Sequence, residues 1–324
     1  MNKKTAVVMY NLGGPDNLDA VKPFLFNLFN DPAIITVPNP FRWLIAKIIS
    51  SRRAPIAQDI YRQMGGKSPI LEETKKQSGA LEKVLETEIN GDVKCFVFMR
   101  YWHPFADEIA EQVKSFEPDE IVLLPLYPQY SVTTTATGLI EWHKQAKIKG
   151  LTTPFKVIKE YPDHNFFVET IVELIREKLQ VLVDKSEYRI LLSAHGLPKK
   201  TIESGDPYQK QVEMTCAAVM EKLGADEIDH VVCYQSRVGP LEWIGPSTDD
   251  EIERAAKDHK NIIMVPVAFV SEHSETLVEL DIEYKELADE HGVEDYIRVK
   301  TVSDHPKFIR GLAQLVMQNR ILND

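Results

Sequence analysis

Cysteine is scarce in this chain: three residues in 324, at positions 95, 216 and 233, with no Cys-x-x-Cys pair. An odd, widely spaced set gives no disulfide framework and suits a reducing compartment. Cys95 and Cys233 fall inside apolar runs, where a buried thiol is the ordinary case. No stretch reaches the roughly 18 apolar residues of a membrane span. Basic excess is missing as well. The chain has 38 Lys and Arg against 49 Asp and Glu, a formal charge of −11. This argues against a nucleic-acid binder, whose surface must replace counterions. Neither a phosphate-binding Gly-rich loop nor a Gly-x-Gly-x-x-Gly turn follows any strand, so nucleotide binding is unsupported. The N-terminal apolar run is short and closes at Gly13, Gly14 and Pro15. It reads as a first strand and not as a signal peptide, and the expected location is the cytoplasm.

What is present is ordinary globular material, 44% hydrophobic and 27% charged. Short β-branched and aromatic runs alternate with helical stretches. The runs are 5–11, 94–101, 120–127 and 155–161, then 188–195, 230–236, 261–269 and 296–302. Near-continuous apolar strands separated by helices predict parallel sheets covered on both faces, an α/β fold of doubly wound type. The two sets look like two copies of one unit, the first carrying about 48 extra residues after its first strand. This gives an N-terminal α/β domain over 1–155 with an insertion at about 20–68. A C-terminal α/β domain follows over 156–305, with a helix over 306–324 packing back on the body. Ligands of open α/β sheets bind beyond the carboxyl ends of strands, so the expected site lies in a cleft lined by strand-end segments.

Several such segments carry reactive side chains. Leu191–Pro198 leads an apolar strand straight into His195, before Gly196 and Pro198 break it. A histidine there can be a general base or a structural cap. Phe269–Tyr284 leaves a second apolar strand and enters a helix carrying Glu275, Glu279 and Glu283 at i, i+4 and i+8. That spacing predicts one shared face. A buried carboxylate row suits a divalent cation, whereas an exposed one is merely solvated. Arg100 and Tyr101, with Tyr127, follow two first-half strands and can wall a flat apolar pocket or simply close the sheet. Arg237 can meet an acidic substituent, and Trp243 can pack on a ring.

The insertion combines Ile34, Ile35, Phe41, Trp43, Leu44 and Ile45 with Arg42, Lys47, Arg52 and Arg53. Pro38 and Pro40 interrupt it, leaving Phe41–Ser50 as a short amphipathic helix. It is either a helix packed on the body or an apolar lip facing a large ligand and a membrane surface.

Taken together, the chain resembles the ferrochelatase family. The similar segments are NLGGP from Asn11, RRAP from Arg52, MGGKSPI from Met64, MRYWHP from Met99 and YPQYS from Tyr127. SAHGLP from Ser193, GDPY from Gly205, YQSRVGPLEWIGP from Tyr234 and SEHSETLVELDIEY from Ser271 follow in order. The resemblance implies two similar Rossmann-like domains with a cleft between them. It implies a lyase that inserts Fe2+ into protoporphyrin IX with release of two protons, the last step of haem synthesis. His195 and Glu275 are its implied catalytic and metal-contacting residues, Glu279 and Glu283 a proton or metal path. Arg100, Tyr101, Tyr127 and Trp243 become porphyrin-pocket residues, and Ile34, Ile35, Phe41, Trp43, Leu44, Arg52 and Arg53 the lip.

The sequence also departs from parts of the family. No cysteine follows Cys233, and Val132 stands after Ser131 where animal members place a cysteine ligand. No [2Fe–2S] cluster and no other resident cofactor is therefore expected. The rich apolar lip favours protoporphyrin IX over coproporphyrin III. Another tetrapyrrole chelatase, or a non-catalytic tetrapyrrole carrier, are the alternatives; a carrier has no need of both His195 and Glu275. Expected partners are the porphyrin and Fe2+, with peripheral membrane contact, no nucleic acid, and a monomer or homodimer.

Overall fold

The computed structural model describes residues 3–225, 228–237, 239 and 241–321. Val238 and Pro240, inside the YQSRVGPLEWIGP segment, lie outside the described residues. The chain forms two compact units. The first comprises the residues up to Tyr127, Ser131–Glu160 and the stretch from Ile309 onward; the second comprises Pro128–Tyr130 and Tyr161–Phe308.

The first unit holds β1 (Lys4–Asn11), α1 (Val21–Phe29), α2 (Phe41–Gln63), α3 (Ile70–Glu88), β2 (Asp92–Met99), α4 (Ala106–Phe116), β3 (Glu120–Pro125), α5 (Thr137–Ile148) and β4 (Phe155–Val157). Its four parallel strands are ordered β2-β1-β3-β4. β1 is central, and seven of its eight residues are buried. One face of the sheet packs Val8, Tyr10, Phe98 and Leu123 against Ile109, Val113 and Trp142 of the flanking helices. At the end of β1, Gly13 takes φ 86°, and a Cβ there would lie 2.9 Å from that of Met99. Only glycine fits this turn without strain.

The second unit repeats the plan. It holds α6 (Asn165–Leu179), β5 (Tyr188–His195), α7 (Lys199–Glu203), α8 (Tyr208–Leu223), β6 (Asp229–Gln235), α9 (Thr248–Lys257), β7 (Asn261–Pro266), a wide-turned helix (Glu275–Glu283), α10 (Tyr284–Glu290) and β8 (Tyr296–Arg298), and it includes the first turn of α11 (Pro306–Gln318), most of which belongs to the first unit. The order β6-β5-β7-β8 matches the first sheet strand for strand. The alternation of apolar runs and helical stretches thus does produce two parallel α/β sheets.

The extra material of the first half is mostly α1 and α2; among the described residues, the second unit has only the five-residue α7 before α8 between β5 and β6. Here the structure corrects one expectation. α2 is not a short helix over Phe41–Ser50 but runs 23 residues, through Pro55. Proline removes one backbone donor from a helix interior; Pro55 lies on an exposed side, where water can serve the carbonyl that loses its partner. Pro40 instead sits just before the first turn, where no donor is lost.

Candidate active site

β5 delivers His195 as its last residue, at the carboxyl edge of the central strand. In sheets of this order, ligands bind where neighbouring strands lead off in opposite directions, here beside β5 and β7. Gly196 N–H donates to the Gln235 carbonyl at 2.8 Å. A Cβ on Gly196 would stand 3.0 Å from that oxygen, so the turn after His195 is tight. The buried Tyr208, from the GDPY segment, donates its hydroxyl to the His195 carbonyl at 3.0 Å. The strand end is therefore fixed on both sides.

Glu275 begins the wide-turned helix that follows β7. Its Oε2 lies 3.0 Å from His195 Nδ1 and 3.7 Å from His273 Nε2. His273 is itself held through Nδ1 by the Ser271 carbonyl at 3.0 Å. The His195 and Glu275 side chains keep 35% and 25% exposure, so a ligand can reach them. Burial pushes the His195 imidazolium down, but the Glu275 carboxylate, with Glu279 behind it, outweighs burial and leaves its pKa raised. Burial likewise raises Glu275, and the charges and hydrogen bonds of His195 and His273 reverse this, holding it well below the carboxylate range. With Nδ1 engaged, Nε2 is the atom that can take a proton.

Glu275, Glu279 and Glu283 all lie on the wide-turned helix. The helix is of the i→i+5 kind. Glu279 turns to the end of β6, accepting from Gln235 Nε2, Ser236 N–H and the Ser236 hydroxyl. Burial and the Glu275 charge raise its pKa. Glu283 is exposed. Glu279 thus stands near enough to Glu275 for their charges to interact, while its own hydrogen bonds run to the end of β6.

In the first unit, Arg100 and Tyr101 follow β2 and converge on Asp31, which the sequence did not single out. Asp31 Oδ2 accepts from Arg100 Nη2 at 2.5 Å, the Tyr101 hydroxyl at 3.0 Å and Thr137 Oγ1 at 2.5 Å. The Arg100 guanidinium lies 4.8 Å above the Tyr101 ring. Tyr101 is wholly buried, and burial followed by the Asp31 charge holds its phenol protonated. Arg100 keeps partial exposure. Tyr127 is half-buried, edge-on to Tyr10 at 6.2 Å. In the second unit Trp243 is half-buried beside Gly196, and its buried indole N–H has no hydrogen-bond partner among the described residues. Arg237 lies 3.7 Å from Asp250.

The insertion leaves an apolar face open. Phe41 is 65% exposed, Leu44 51%, Trp43 45% and Ile48 44%, whereas Ile34, Ile35 and Ile45 are half-buried. Lys47 Nζ lies 4.9 Å over the Trp43 ring, and Arg53 covers Phe29 at 6.0 Å. Arg52 is exposed. Among the described residues, no helix is long and apolar enough to cross a membrane, and no group of three His, Cys, Asp or Glu is arranged to hold a metal ion.

The sequence signals for the missed partners were weak. Asp31 is one carboxylate before a proline, and Gln235 and Ser236 look like ordinary polar residues closing a strand.

A family model described as ferrochelatase matches residues 4–320. The ferrochelatase of Caulobacter vibrioides is 53% identical over 317 residues, covering 98% of this chain and 90% of its own length. That of Wolbachia pipientis wMel is 50% identical over 312 residues, covering 96% and 98%. Among solved structures, SirB from Bacillus subtilis with Fe3+ superposes with a TM-score of 0.53 at 11% identity, covering 97% of this chain and 94% of its own. CbiX, described as the terminal enzyme of sirohaem biosynthesis in denitrifying bacteria, gives 0.51 at 11%, covering 99% and 100%. At such identity the two structures speak to the fold alone. From the match along nearly its whole length, this chain belongs to the ferrochelatase family.

Proposed function

We propose that the protein inserts Fe2+ into protoporphyrin IX, releasing two protons and forming protohaem. The observation that carries this reading is the His195–Glu275 pair at the carboxyl edge of β5. The family relationship supplies the substrate class. A free-base porphyrin must lose two pyrrole protons before the metal can enter. Glu275 holds the His195 ring through Nδ1, which leaves Nε2 with a lone pair for a pyrrole proton. The same carboxylate then stabilises the imidazolium that forms. Glu275 Oε1 carries no hydrogen bond among the described residues, and so is open to Fe2+ in passing. Two side chains make a weak, temporary contact, which suits an ion that must be handed on rather than kept.

The exposed face of α2 supports protoporphyrin IX over the more carboxylated coproporphyrin III, and peripheral contact with the cytoplasmic face of a membrane. Apolar area of that size on an acidic protein fits a flat hydrophobic ring or a lipid surface. The test is a comparison of kcat/KM for the two porphyrins under anaerobic conditions with Fe2+. A preference for protoporphyrin IX of tenfold or more, by ~1.4 kcal/mol of transition-state discrimination, supports the reading. A preference for coproporphyrin III overturns the substrate assignment.

A further inference from the structure

Glu275 and Glu279 stand four residues apart, and an acidic row invites a metal route through both. Their hydrogen bonding separates them. Glu279 Oε1 accepts from Ser236 N–H at 2.8 Å and the Tyr284 hydroxyl at 3.2 Å. Its Oε2 accepts from the Ser236 hydroxyl at 2.5 Å and Gln235 Nε2 at 2.9 Å. An ionised carboxylate offers about four lone-pair sites, and four protein donors face them, the Tyr284 hydroxyl also lying 3.4 Å from Asp249 Oδ2. A cation reaches Glu279 only by displacing one. Glu275 differs: its Oε2 faces His195 and His273, its Oε1 accepts no hydrogen bond among the described residues, and its side chain is 25% exposed.

The donors are themselves fixed. Ser236 holds φ at 62° directly after β6, a left-handed conformation that a non-glycine residue keeps only when its surroundings impose it. It brings both the N–H and the hydroxyl onto one carboxylate. Gln235 is buried. Its Nε2 also donates to the Glu275 carbonyl at 3.0 Å, and its Oε1 accepts from Ser193 Oγ at 2.9 Å. A second tie runs to β8: Arg298 binds both oxygens of Asp281, at 2.6 and 2.7 Å, and Glu272 at 2.7 Å. The wide-turned helix is thus secured to the end of β6 through Glu279, and to β8 through Arg298, while Gln235 ties β6 to β5 at Ser193.

We propose that Glu279 is a positioning residue that anchors the wide-turned helix to the end of β6, keeping Glu275 within hydrogen-bond reach of His195, and that it does not carry metal. This rests on the iron-insertion reading above.

The test compares full-length Glu279→Gln, Ser236→Ala and Tyr284→Phe, with Fe2+ and protoporphyrin IX each varied in turn. Glu279→Gln keeps the size but sets an amide N–H₂ against donors. It should lower kcat about ten- to a hundredfold, the scale of a small misplacement at a reacting centre, with KM for Fe2+ unchanged. Ser236→Ala and Tyr284→Phe keep the charge and remove one donor each, so kcat should fall less, again at constant KM for Fe2+. A rise in KM for Fe2+ in Glu279→Gln, or unaltered turnover in the two milder variants, overturns the anchor. The milder pair decides alone if Glu279→Gln does not fold. A crystal structure of Ser236→Ala or Tyr284→Phe reads the anchor without turnover: the His195–Glu275 separation should grow beyond 3.0 Å, and an unmoved pair overturns it. Wild-type protein that inserts no iron defeats the functional reading instead, and the crystallographic arm still decides the anchor.

Discussion

His195 Nδ1 and Glu275 Oε2 lie 3.0 Å apart across 80 residues of sequence. One ends the central strand of the second sheet, and the other opens the helix that follows its neighbour. The contact makes a base of defined tautomer out of two residues that are ordinary when taken singly.

Replacing His195 by Ala should therefore lower turnover by about a hundredfold or more, the usual scale of a lost general base. The backbone around it is held by Gly196 and Tyr208, so the fold should survive, with the melting temperature lowered only by the loss of the contact to Glu275. Steady-state kinetics beside a thermal melt checks both halves. Turnover within tenfold of wild type sinks the assignment.

The pair also fixes a pH dependence. As a base, His195 must be neutral, so activity should rise with pH through a pKa above the ordinary 6.5. Glu275→Gln removes the charge that raises it, and burial then dominates, so the acid limb should move to lower pH while the maximal rate falls. Stability follows the same groups. The raised His195 pKa contributes fully below 6.5 and is lost as pH rises through the folded value. The depressed Glu275 pKa contributes above 4.5 and is lost as pH falls through its folded value. The melting-temperature gap between wild type and Glu275→Gln should thus be widest between 4.5 and 6.5. A gap that grows steadily toward alkaline pH contradicts the pairing.

Much of this was legible in the sequence, and what was not has physical causes. β5 reads correctly to its last residue because a mostly apolar, buried run stops at His195. The strands β4 and β8 are shorter than their apolar runs, each pairing with its neighbour over three residues only. α1 and α5 were not singled out; α5 exposes Ile140 and Ile148, so its apolar residues do not mark one buried stripe. The i→i+5 turn has no sequence period of its own. The helix that carries it is held by Glu279 on β6 and by Arg298 on Asp281, contacts that exist only after folding.

The Asp31 cluster should be structural. Its buried carboxylate collects four donors, from Arg100, Tyr101, Thr137 and the Ala33 N–H. Asp31→Ala leaves a partly buried guanidinium unpaired, a change that costs about 3–5 kcal/mol when a buried pair is broken. Chemical denaturation should show a lower midpoint with an unchanged slope. A midpoint equal to wild type shows that Arg100 finds another partner.

The open face of α2 makes the lip testable. Trp43→Ser with Leu44→Ser removes two exposed apolar side chains, so stability should shift by less than about 1 kcal/mol, as surface changes do. Binding to anionic vesicles should weaken, and KM for protoporphyrin IX should rise. Wild-type binding should itself weaken with salt, since Lys47 and Arg52 are exposed. Unfolding of the double variant, with no vesicle binding by wild type, shows that this face is ordinary core.

The most direct measurement is the anaerobic absorbance change of protoporphyrin IX with Fe2+, for wild type beside Glu275→Gln and His195→Ala. The account predicts conversion of the free-base spectrum to that of protohaem by wild type. Both variants should bind the porphyrin but convert it at a rate lower by about a hundredfold or more. A wild type that leaves the free-base spectrum unchanged, or variants that convert it as fast as wild type, contradicts the account.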